Sequence, residues 1–429
     1  MPSILISFVG QQDPVSDKTR EEGSIATLVH HLLATATPLK RLLLLYTTGA
    51  NGTEDRALLT RDWLADAPFS LDTATIDLLP VDPGLSADPV DLWLAVQAAK
   101  KGLEAAIAHR HSNDTLEFNA SSGTPVMKSA WSILQAAGYA PKSRLWQVRN
   151  PKEQQPGQAR VFQTNIQVLR QTFDLKIIEQ QLQDYNYNGA LTTLKAAGLN
   201  TPLLEALLQY GYYRLSLDFA KAWAVMVTTM GDRWHHDMVA LCQNNPVMLL
   251  QEAYFNAVVE LKNQQLANFI VRMAQFLEQA LQFLVAQFLA ERPPLPRSFE
   301  ETKSFWTQLS TGHPDLWCHL QQSHFRGHPL RLEAFPSRPV LLAILEHANS
   351  PVLPALQALS RAYDQRNRYI HEFKGISELP EAQDLLNAMR TVLTALRITE
   401  FHNPFNALNQ EILAAIQIRI DAPPANSSP

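Results

Sequence analysis

Short apolar runs alternate with amphipathic segments through the first third of the chain, and this alternation constrains the fold more than any other feature. The runs of strand length are Ile4–Val9, Arg41–Tyr46, Ala74–Leu79, Thr115–Asn119 and Ser143–Val148. Segments of helix length lie between them, at Ser24–Ala34, Thr53–Ala65, Pro89–His109 and Pro125–Ala137. A repeated β-α-β-α order is typical of a parallel sheet with helices on both faces. The sequence therefore predicts an α/β, Rossmann-like domain at the start of the chain.

The hydrophobic pattern changes near Ile177. From there apolar residues recur with a helical period, for example in Pro202–Tyr213, Leu215–Met230, Val247–Lys262 and Leu266–Ala290. Because no convincing series of strands follows, this pattern predicts an all-α bundle. Two segments rich in proline interrupt the chain. Asn150–Gln158 is predicted to be a linker or an exposed turn, and Arg292–Pro296 to be a domain border or a loop within the bundle.

Composition restricts the partners of the chain. A hydrophobic content of 46% and 429 residues are enough for two or three domains with cores of their own. The net charge of −5 means that any contact with nucleic acid depends on a local basic pocket. Two cysteines, Cys242 and Cys318, cannot form a disulfide framework, which favours the cytoplasm. Met1–Phe8 lacks a basic leader, so we expect a buried first strand and no membrane association.

Two loops that follow predicted strands have the composition of an anion-binding site. The candidate ligand contacts in and near them are Gly10, Gln11, Asp13, Asn119, Ser121, Ser122, Gly123, Thr124 and Lys128. Ligands of parallel sheets bind beyond the carboxyl ends of the strands, where free backbone N–H groups at helix starts bind phosphate. The alternative is that both loops are tight turns closed by capping residues, and that Lys128 is solvated. Neither loop matches a dinucleotide fingerprint or a P-loop, which disfavours a dinucleotide or a nucleoside triphosphate.

A second candidate site lies near the C-terminus, in the predicted helix Ser360–Phe373. Arg366 and His371 are separated by about 140° around such a helix, and Asn367 follows the arginine. Histidine titrates near neutral pH and can transfer the proton of a ribose 2′-hydroxyl, while the arginine fork binds phosphate. The pair is therefore suited to the cleavage of RNA. The alternative interpretation is that Arg366 and His371 are ordinary surface side chains. A second copy of the helix across a twofold axis would complete the pocket, so we expect a homodimer.

A histidine-rich segment offers a rival site. Its metal-capable side chains are those of His313, Cys318, His319, His324 and His328. Zinc sites usually contain closely spaced pairs such as Cys-x-x-Cys, and the segment has no such pair. We therefore interpret the segment as a polar helical surface and expect no metal.

The motifs together resemble a known family. Val9-Gly10-x-x-Asp13-Pro14, the helix start Gly23-Ser24-Ile25 and Asn119-x-Ser121-x-Gly123-Thr124-Pro125 are similar to those of a CARF domain. Arg366-Asn367-x-x-x-His371 is similar to a HEPN motif. The chain thus resembles the CARF–HEPN ribonucleases of type III CRISPR systems. The resemblance implies a CARF domain at residues 1–160, a helical connector at 161–245 and a HEPN domain at 246–429.

The resemblance also implies a function. The CARF half would dimerise and bind a cyclic oligoadenylate of four or six adenylates as activator, with no other cofactor. The HEPN half would then cleave single-stranded RNA without metal, through Arg366, Asn367 and His371, and leave 2′,3′-cyclic phosphate ends. Some CARF domains of this type also cleave their activator slowly. Two alternatives stay open, a ligand-binding regulator with a HEPN scaffold and a HEPN nuclease without nucleotide control. Stable DNA binding is not expected, because the sequence shows no basic recognition helix.

Overall fold

The computed structural model describes residues 2–35, 37–140, 142–164, 166–229, 234–290, 292–371 and 376–421. Within these ranges it describes every side chain except those of residues 167, 168, 365–371 and 421. The chain separates into two compact units, Met1–Phe173 and Asp174–Pro429. The borders expected at residues 160 and 245 stay predictions. Among the described residues, no helix combines the length and the apolar character needed to cross a bilayer.

A mixed sheet forms the centre of the first unit. Its strands are β1 (Ser3–Phe8), β2 (Leu39–Tyr46), β3 (Ile76–Pro80), β4 (Thr115–Asn119), β5 (Ser143–Val148) and β6 (Val161–Thr164). They lie in the order β3-β2-β1-β4-β5-β6. Neighbouring strands are parallel except for the antiparallel pair of β5 and β6. The predicted parallel sheet is confirmed, and the polar segment Asn150–Gln158 is the exposed turn that leads into the additional edge strand β6.

Helices cover both faces of this sheet because the central strand presents apolar side chains to each face. The helices are α1 (Ser24–Ala34), α2 (Glu54–Ala65), α3 (Pro83–Ala87), α4 (Leu92–Ala108) and α5 (Pro125–Ala136). In β1, Ile4 and Ile6 join the core formed with α4 and α5, whereas Leu5 joins the core formed with α1 and α2. Burial on both faces is what a central parallel strand requires.

The direction in which strands are added to the sheet reverses between β1 and β4. Strands β2 and β3 lie on one side of β1, and β4 and β5 lie on the other. Since β1 and β4 are parallel neighbours, their carboxyl ends open at the same edge of the sheet. Such a reversal leaves a crevice between the two following loops, which is the usual ligand position in open α/β sheets.

The second unit is a helical bundle. Its elements are α6 (Gln167–Gln183, which begins in the first unit), α7 (Tyr187–Ala196), α8 (Pro202–Leu215), α9 (Phe219–Thr229), α10 (His235–Cys242), α11 (Pro246–Lys262), α12 (Leu266–Phe288), α13 (Phe299–Gly312), α14 (Pro314–Gln322), β7 (His324–Phe325), β8 (His328–Pro329), α15 (Arg338–His347), α16 (Leu353–His371), α17 (Ala382–Ala395) and α18 (Pro404–Asp421). The segment Arg292–Pro296 lies between α12 and α13, inside this compact unit, and is therefore a loop within the bundle.

One apolar core runs through the described helices of the bundle, from Ile178 of α6 to Ile416 of α18. A buried ion pair lies in it. The Arg214 guanidinium donates to both carboxylate oxygens of Glu252 at 2.8 Å and to the Tyr210 hydroxyl at 2.8 Å. Each of these polar groups has a hydrogen-bond partner among the others. The two opposite charges therefore compensate each other in a region that excludes water.

Candidate ligand and catalytic sites

The carboxylate of Asp13 closes the loop after β1. One of its oxygens accepts a hydrogen bond from the backbone N–H of Gly10 at 3.0 Å. The same oxygen accepts a hydrogen bond from the hydroxyl of Ser122, which belongs to the loop after β4. The other oxygen accepts the N–H of Ile25 at 3.2 Å, at the start of α1. Asp13 is 2% exposed, so these internal donors occupy both of its oxygens. Asp13 therefore fixes the shape of the crevice from within.

Burial raises the pKa of Asp13 above the usual range of an aspartate. The hydrogen bonds from Ser122, Gly10 and Ile25 and the positive charge of Lys128 act in the opposite direction, and they offset the burial only in part. Lys128 thus influences the crevice electrostatically from the first turns of α5. An anionic ligand at this edge would meet the same positive charge.

Asn119, the last residue of β4, connects β1 and the start of α1 to the second loop. Its side-chain amide donates to the hydroxyls of Ser7 and Ser24 at 3.1 and 3.3 Å, and its carbonyl oxygen accepts the N–H of Ser121 at 3.0 Å. The Ser121 hydroxyl in turn accepts the N–H of Val148 at 2.7 Å, at the end of β5. These contacts hold the loop after β4 against β1 and β5, so Asn119 is a structural residue of the crevice floor.

Gly123 and Thr124 shape the entry into α5. Gly123 has a φ of 88°, a left-handed conformation that favours glycine. Thr124 is the N-cap of α5, where its hydroxyl accepts the N–H of Met127 at 3.4 Å and donates to the carbonyl of Pro89 at 2.8 Å. A Cβ on Gly10 would lie 3.0 Å from the Gly123 nitrogen. The two predicted loops are therefore in direct contact.

Gln11 connects the crevice to a third loop. Its side-chain amide donates to the carbonyl oxygens of Asn51 and Gly52, at 3.3 and 3.1 Å, in the loop between β2 and α2. Sequence reasoning missed this loop, although the turn residues Gly49, Asn51 and Gly52 mark it directly after a predicted strand. The structure thus brings the predicted residues of both loops together and adds a third segment to the wall.

The predicted catalytic motif lies at the C-terminal end of α16. The backbone of this helix continues through position 371, and residues 372–375 lie outside the described part of the chain. The side chains of Arg366, Asn367 and His371 also lie outside the described residues. The helical backbone retains the separation of about 140° between positions 366 and 371. The assignment of these three residues therefore stays a prediction.

Described side chains hold α16 immediately before the motif. The carboxylate of Asp364 pairs with Arg326 of the β7–β8 turn at 2.5 Å and with Arg338 at the start of α15. The guanidinium carbon of Arg338 lies 4.1 Å from the ring centroid of Tyr363, and the Tyr363 hydroxyl donates to Glu278 of α12 at 2.7 Å. Three neighbouring elements thus fix the helix one turn before position 366.

The histidine-rich segment spans α14 and the β7–β8 hairpin. The rings of His319 and His347 lie 5.3 Å apart, and a ring nitrogen of His324 lies 2.8 Å from the carbonyl oxygen of Gln322. Among the described residues, no three or more His, Cys, Asp or Glu side chains form a group that could hold a metal ion. His319 thus packs against a histidine of α15, and His324 lies against the end of α14.

A Rossmann-like unit with a polar crevice at its strand reversal, followed by an all-α unit, is the architecture of CARF–HEPN proteins, which confirms the predicted fold class. Among solved structures, the chain is similar to Enterococcus italicus Csm6 bound to cyclic hexa-2′-fluoro-hexa-dAMP. The TM-score is 0.63 at 16% identity, over 97% of this chain and 100% of that chain. At this identity the likeness concerns the fold. No protein-family model and no curated protein matches the sequence.

Proposed function

We propose that this protein is an accessory endoribonuclease of a type III CRISPR system, and that a cyclic oligoadenylate bound at the CARF crevice activates it. One observation supports the proposal most directly. The loops after β1 and β4, selected from the sequence as an anion site, touch each other at the strand reversal. They do so in a chain whose fold is that of a Csm6 solved with a cyclic hexanucleotide analogue.

The ring binds through its phosphates at the mouth of the crevice. Partly exposed loop residues at the start of α5 supply backbone donors, and Lys128 supplies positive charge. The proposed ligand contacts are Gly10, Gln11, Ser121, Gly123, Thr124 and Lys128, with Asp13, Asn119 and Ser122 shaping the loops. A cyclic oligonucleotide with twofold symmetry matches two copies of the crevice, so the binding unit is a homodimer. The six-membered ring is the first to test, because the structural neighbour holds a ring of that size.

The reaction takes place at the motif of α16. His371 transfers protons while the 2′-oxygen of the RNA attacks the adjacent phosphorus, and the bond from phosphorus to the 5′-oxygen breaks. Arg366 stabilises the charge that develops on the phosphoryl oxygens, and Asn367 follows it in the sequence. The products are a 2′,3′-cyclic phosphate and a 5′-hydroxyl, and the step needs no metal. The ring activates it by binding more tightly to the active arrangement of the dimer than to the idle one.

Cleavage of a fluorogenic RNA in EDTA, with and without cyclic tetra- or hexa-adenylate, tests the proposal. Strong stimulation by one ring supports a nucleotide-gated, metal-independent ribonuclease. Tight binding of a ring without cleavage favours the regulator with a HEPN scaffold, and cleavage that no ring stimulates favours a nuclease without nucleotide control. Following the ring itself in the absence of RNA checks the separate prediction that the CARF unit cleaves its activator.

A further inference from the structure

A groove of about 650 Å³ lies between the β7–β8 hairpin and helix α16. His324 and Arg326 of the hairpin segment line one side, and Gln357, Arg361 and Asp364 of α16 line the other. These polar side chains belong to the helical unit, and the lining also contains apolar residues such as Phe325 and Leu342. The groove is therefore suited to a ligand that lies along α16 and has both charged and apolar parts.

Two arginines share the Asp364 carboxylate, but they are held in different ways. The Arg338 side chain is 15% exposed, packs on the ring of Tyr363 and donates to the carbonyl of Ser360 at 3.4 Å. The Arg326 side chain is 65% exposed and extends from the turn of a hairpin whose strands contain two residues each. If Arg326 moves away, Asp364 keeps its inner partner. Arg326 is thus the exchangeable member of this cluster.

A phosphodiester is a chemically suitable new partner for Arg326. Exposed ion pairs stabilise proteins little, so exchanging one acceptor for another costs little. The arginine fork binds phosphate and carboxylate oxygens with the same planar geometry. The groove is lined by two arginines, Arg326 and Arg361, and by two carboxylates, Asp364 and Glu346. Because Arg338 also neutralises Asp364 from outside the lining, Arg326 and Arg361 can offer positive charge to a phosphate in an otherwise acidic chain.

The groove lies on the same face of α16 as position 371 of the predicted motif. Position 371 follows Asp364 by seven residues, a rotation of about 700°, which is almost two full turns. Asp364 and position 371 therefore lie on the same face of α16, about 10 Å apart along the helix axis. A strand that passes position 371 continues along this face into the groove.

We propose that the groove binds the backbone of the single-stranded RNA substrate on one side of the scissile bond, and that Arg326 leaves Asp364 to pair with a phosphate. The inference rests on the proposed function, because it takes α16 as the catalytic helix. Arg326 and Arg361 are then substrate-binding residues. Asp364 and Arg338 are positioning residues that keep α16 in place while Arg326 changes partner.

Binding of a 2′-O-methyl RNA, which cannot undergo attack by a 2′-hydroxyl, tests the inference on the full-length protein. The dissociation constant is measured over a salt series for wild type, R326A, R326K and R331A. Arg331 is the matched control, since it is an exposed arginine of the same segment outside the groove lining. We expect R326A to weaken binding about fivefold to tenfold. It should also lower the slope of log Kd against log salt by about 0.7, the value for one phosphate contact in a single strand.

R326K should keep the wild-type slope, and R331A should match the wild type in both quantities. With cleavable RNA and saturating cyclic oligoadenylate, R326A should raise KM and leave kcat nearly unchanged. D364N frees Arg326 and keeps a neutral acceptor for Arg338, so it should bind RNA at least as tightly as the wild type. Thermal unfolding of each variant is measured in parallel.

Three results would overturn the inference. In the first, R326A binds and cleaves RNA like R331A. In the second, R326A lowers kcat and leaves KM and the salt slope of RNA binding unchanged. In the third, D364N loses as much RNA affinity as R326A. In the last two cases the ion pair only braces the hairpin. Failure of the proposed function would give a different set of cleavage and binding results. The wild type would then cleave no RNA with either ring, while the salt slope of RNA binding would still depend on Arg326.

Discussion

The two candidate sites are held together by different kinds of polar contact. In the Rossmann-like unit, Asp13 and Asn119 are buried, and their hydrogen bonds lie at one edge of the sheet. In the bundle, Asp364 holds α16, the proposed catalytic helix, through partners that include the exposed Arg326. A preformed crevice loses little conformational entropy when it binds a ligand, whereas exposed ion pairs can change partner. The molecule thus combines buried, rigid contacts at one candidate site with exposed, adjustable contacts at the other.

The bundle also has a rigid polar contact, on helices other than α16. Arg214 and Glu252 are each 3% exposed and connect α8 to α11. Removing one partner of such a pair leaves an uncompensated charge in the core. The helical unit therefore contains a buried ion pair that stabilises the fold, Arg214–Glu252, and an exposed ion pair that can change partner, Arg326–Asp364.

Substitution of Arg366 and His371, the proposed catalytic pair, gives the largest expected effect and tests whether the two sites are separable. In the proposed mechanism, H371A removes the group that transfers protons, and R366A removes the positive charge that stabilises the phosphoryl oxygens. We expect each to slow RNA cleavage by a factor of about 10² to 10⁴. Binding of the cyclic oligoadenylate, measured by calorimetry, should stay at the wild-type level because the crevice belongs to the other unit. Cleavage by both variants at the wild-type rate would contradict the assignment.

Removal of Glu252 gives the largest expected effect on stability. E252A leaves the Arg214 guanidinium buried without its carboxylate partner and should lower the free energy of unfolding by about 3–5 kcal/mol. E260A is the control on the same helix, since Glu260 lies near the surface and its carboxylate accepts the side-chain amide of Asn268 at 3.3 Å. Its expected cost is below about 1 kcal/mol. Urea denaturation followed by circular dichroism measures both, and equal losses would mean that burial of the pair does not matter.

The pH dependence of the free energy of unfolding tests whether Asp13 is held in the buried position that shapes the crevice. Burial raises the pKa of Asp13 in the folded state, so folding favours the protonated form. The stabilising contribution of this proton is therefore complete below the unfolded pKa of about 4 and is lost as the pH rises through the folded value. In D13N the side chain is an amide, which does not titrate in this pH range. We expect the free energy of unfolding of D13N, relative to wild type, to increase as the pH rises from 4 towards neutrality.

Denaturant titrations of both proteins over this pH range measure that difference. A difference that stays constant, or that falls with rising pH, would show that the three hydrogen bonds outweigh burial at Asp13. D13N should also bind cyclic oligoadenylate more weakly if the carboxylate shapes the loop, whereas K128Q should weaken binding without altering this pH dependence greatly.

The sequence predicts the sheet and the position of its crevice because both depend on local patterns. Alternation of apolar runs locates β1 and β4, and their following loops contain Asp13 and Asn119. The inward direction of these two side chains depends on contacts with α1 and the neighbouring strands, which no local pattern reports. Strand β6 follows a polar turn and contains only Val161–Thr164, too few residues for a clear alternation.

The bundle was predictable as helices, but its contacts near the motif were not. The β7–β8 hairpin is too short to produce a strand signal. The pairing of Arg326 with Asp364 joins residues that are 38 positions apart, and many other arginines and aspartates would satisfy the same charge rule. This pair follows from the packing of the β7–β8 hairpin against α16, so only the folded chain identifies it.

The smallest expected effect concerns the exchangeable ion pair itself. R326A removes one exposed partner of Asp364 and leaves Arg338 in place, so the free energy of unfolding should fall by less than about 1 kcal/mol. R338A should cost more, because that guanidinium also packs on Tyr363 and donates to the Ser360 carbonyl. Urea denaturation of the two variants measures the difference within one cluster. If R326A destabilised the bundle as much as E252A, the hairpin contact would be structural, and the contrast between rigid and adjustable contacts would not hold at α16.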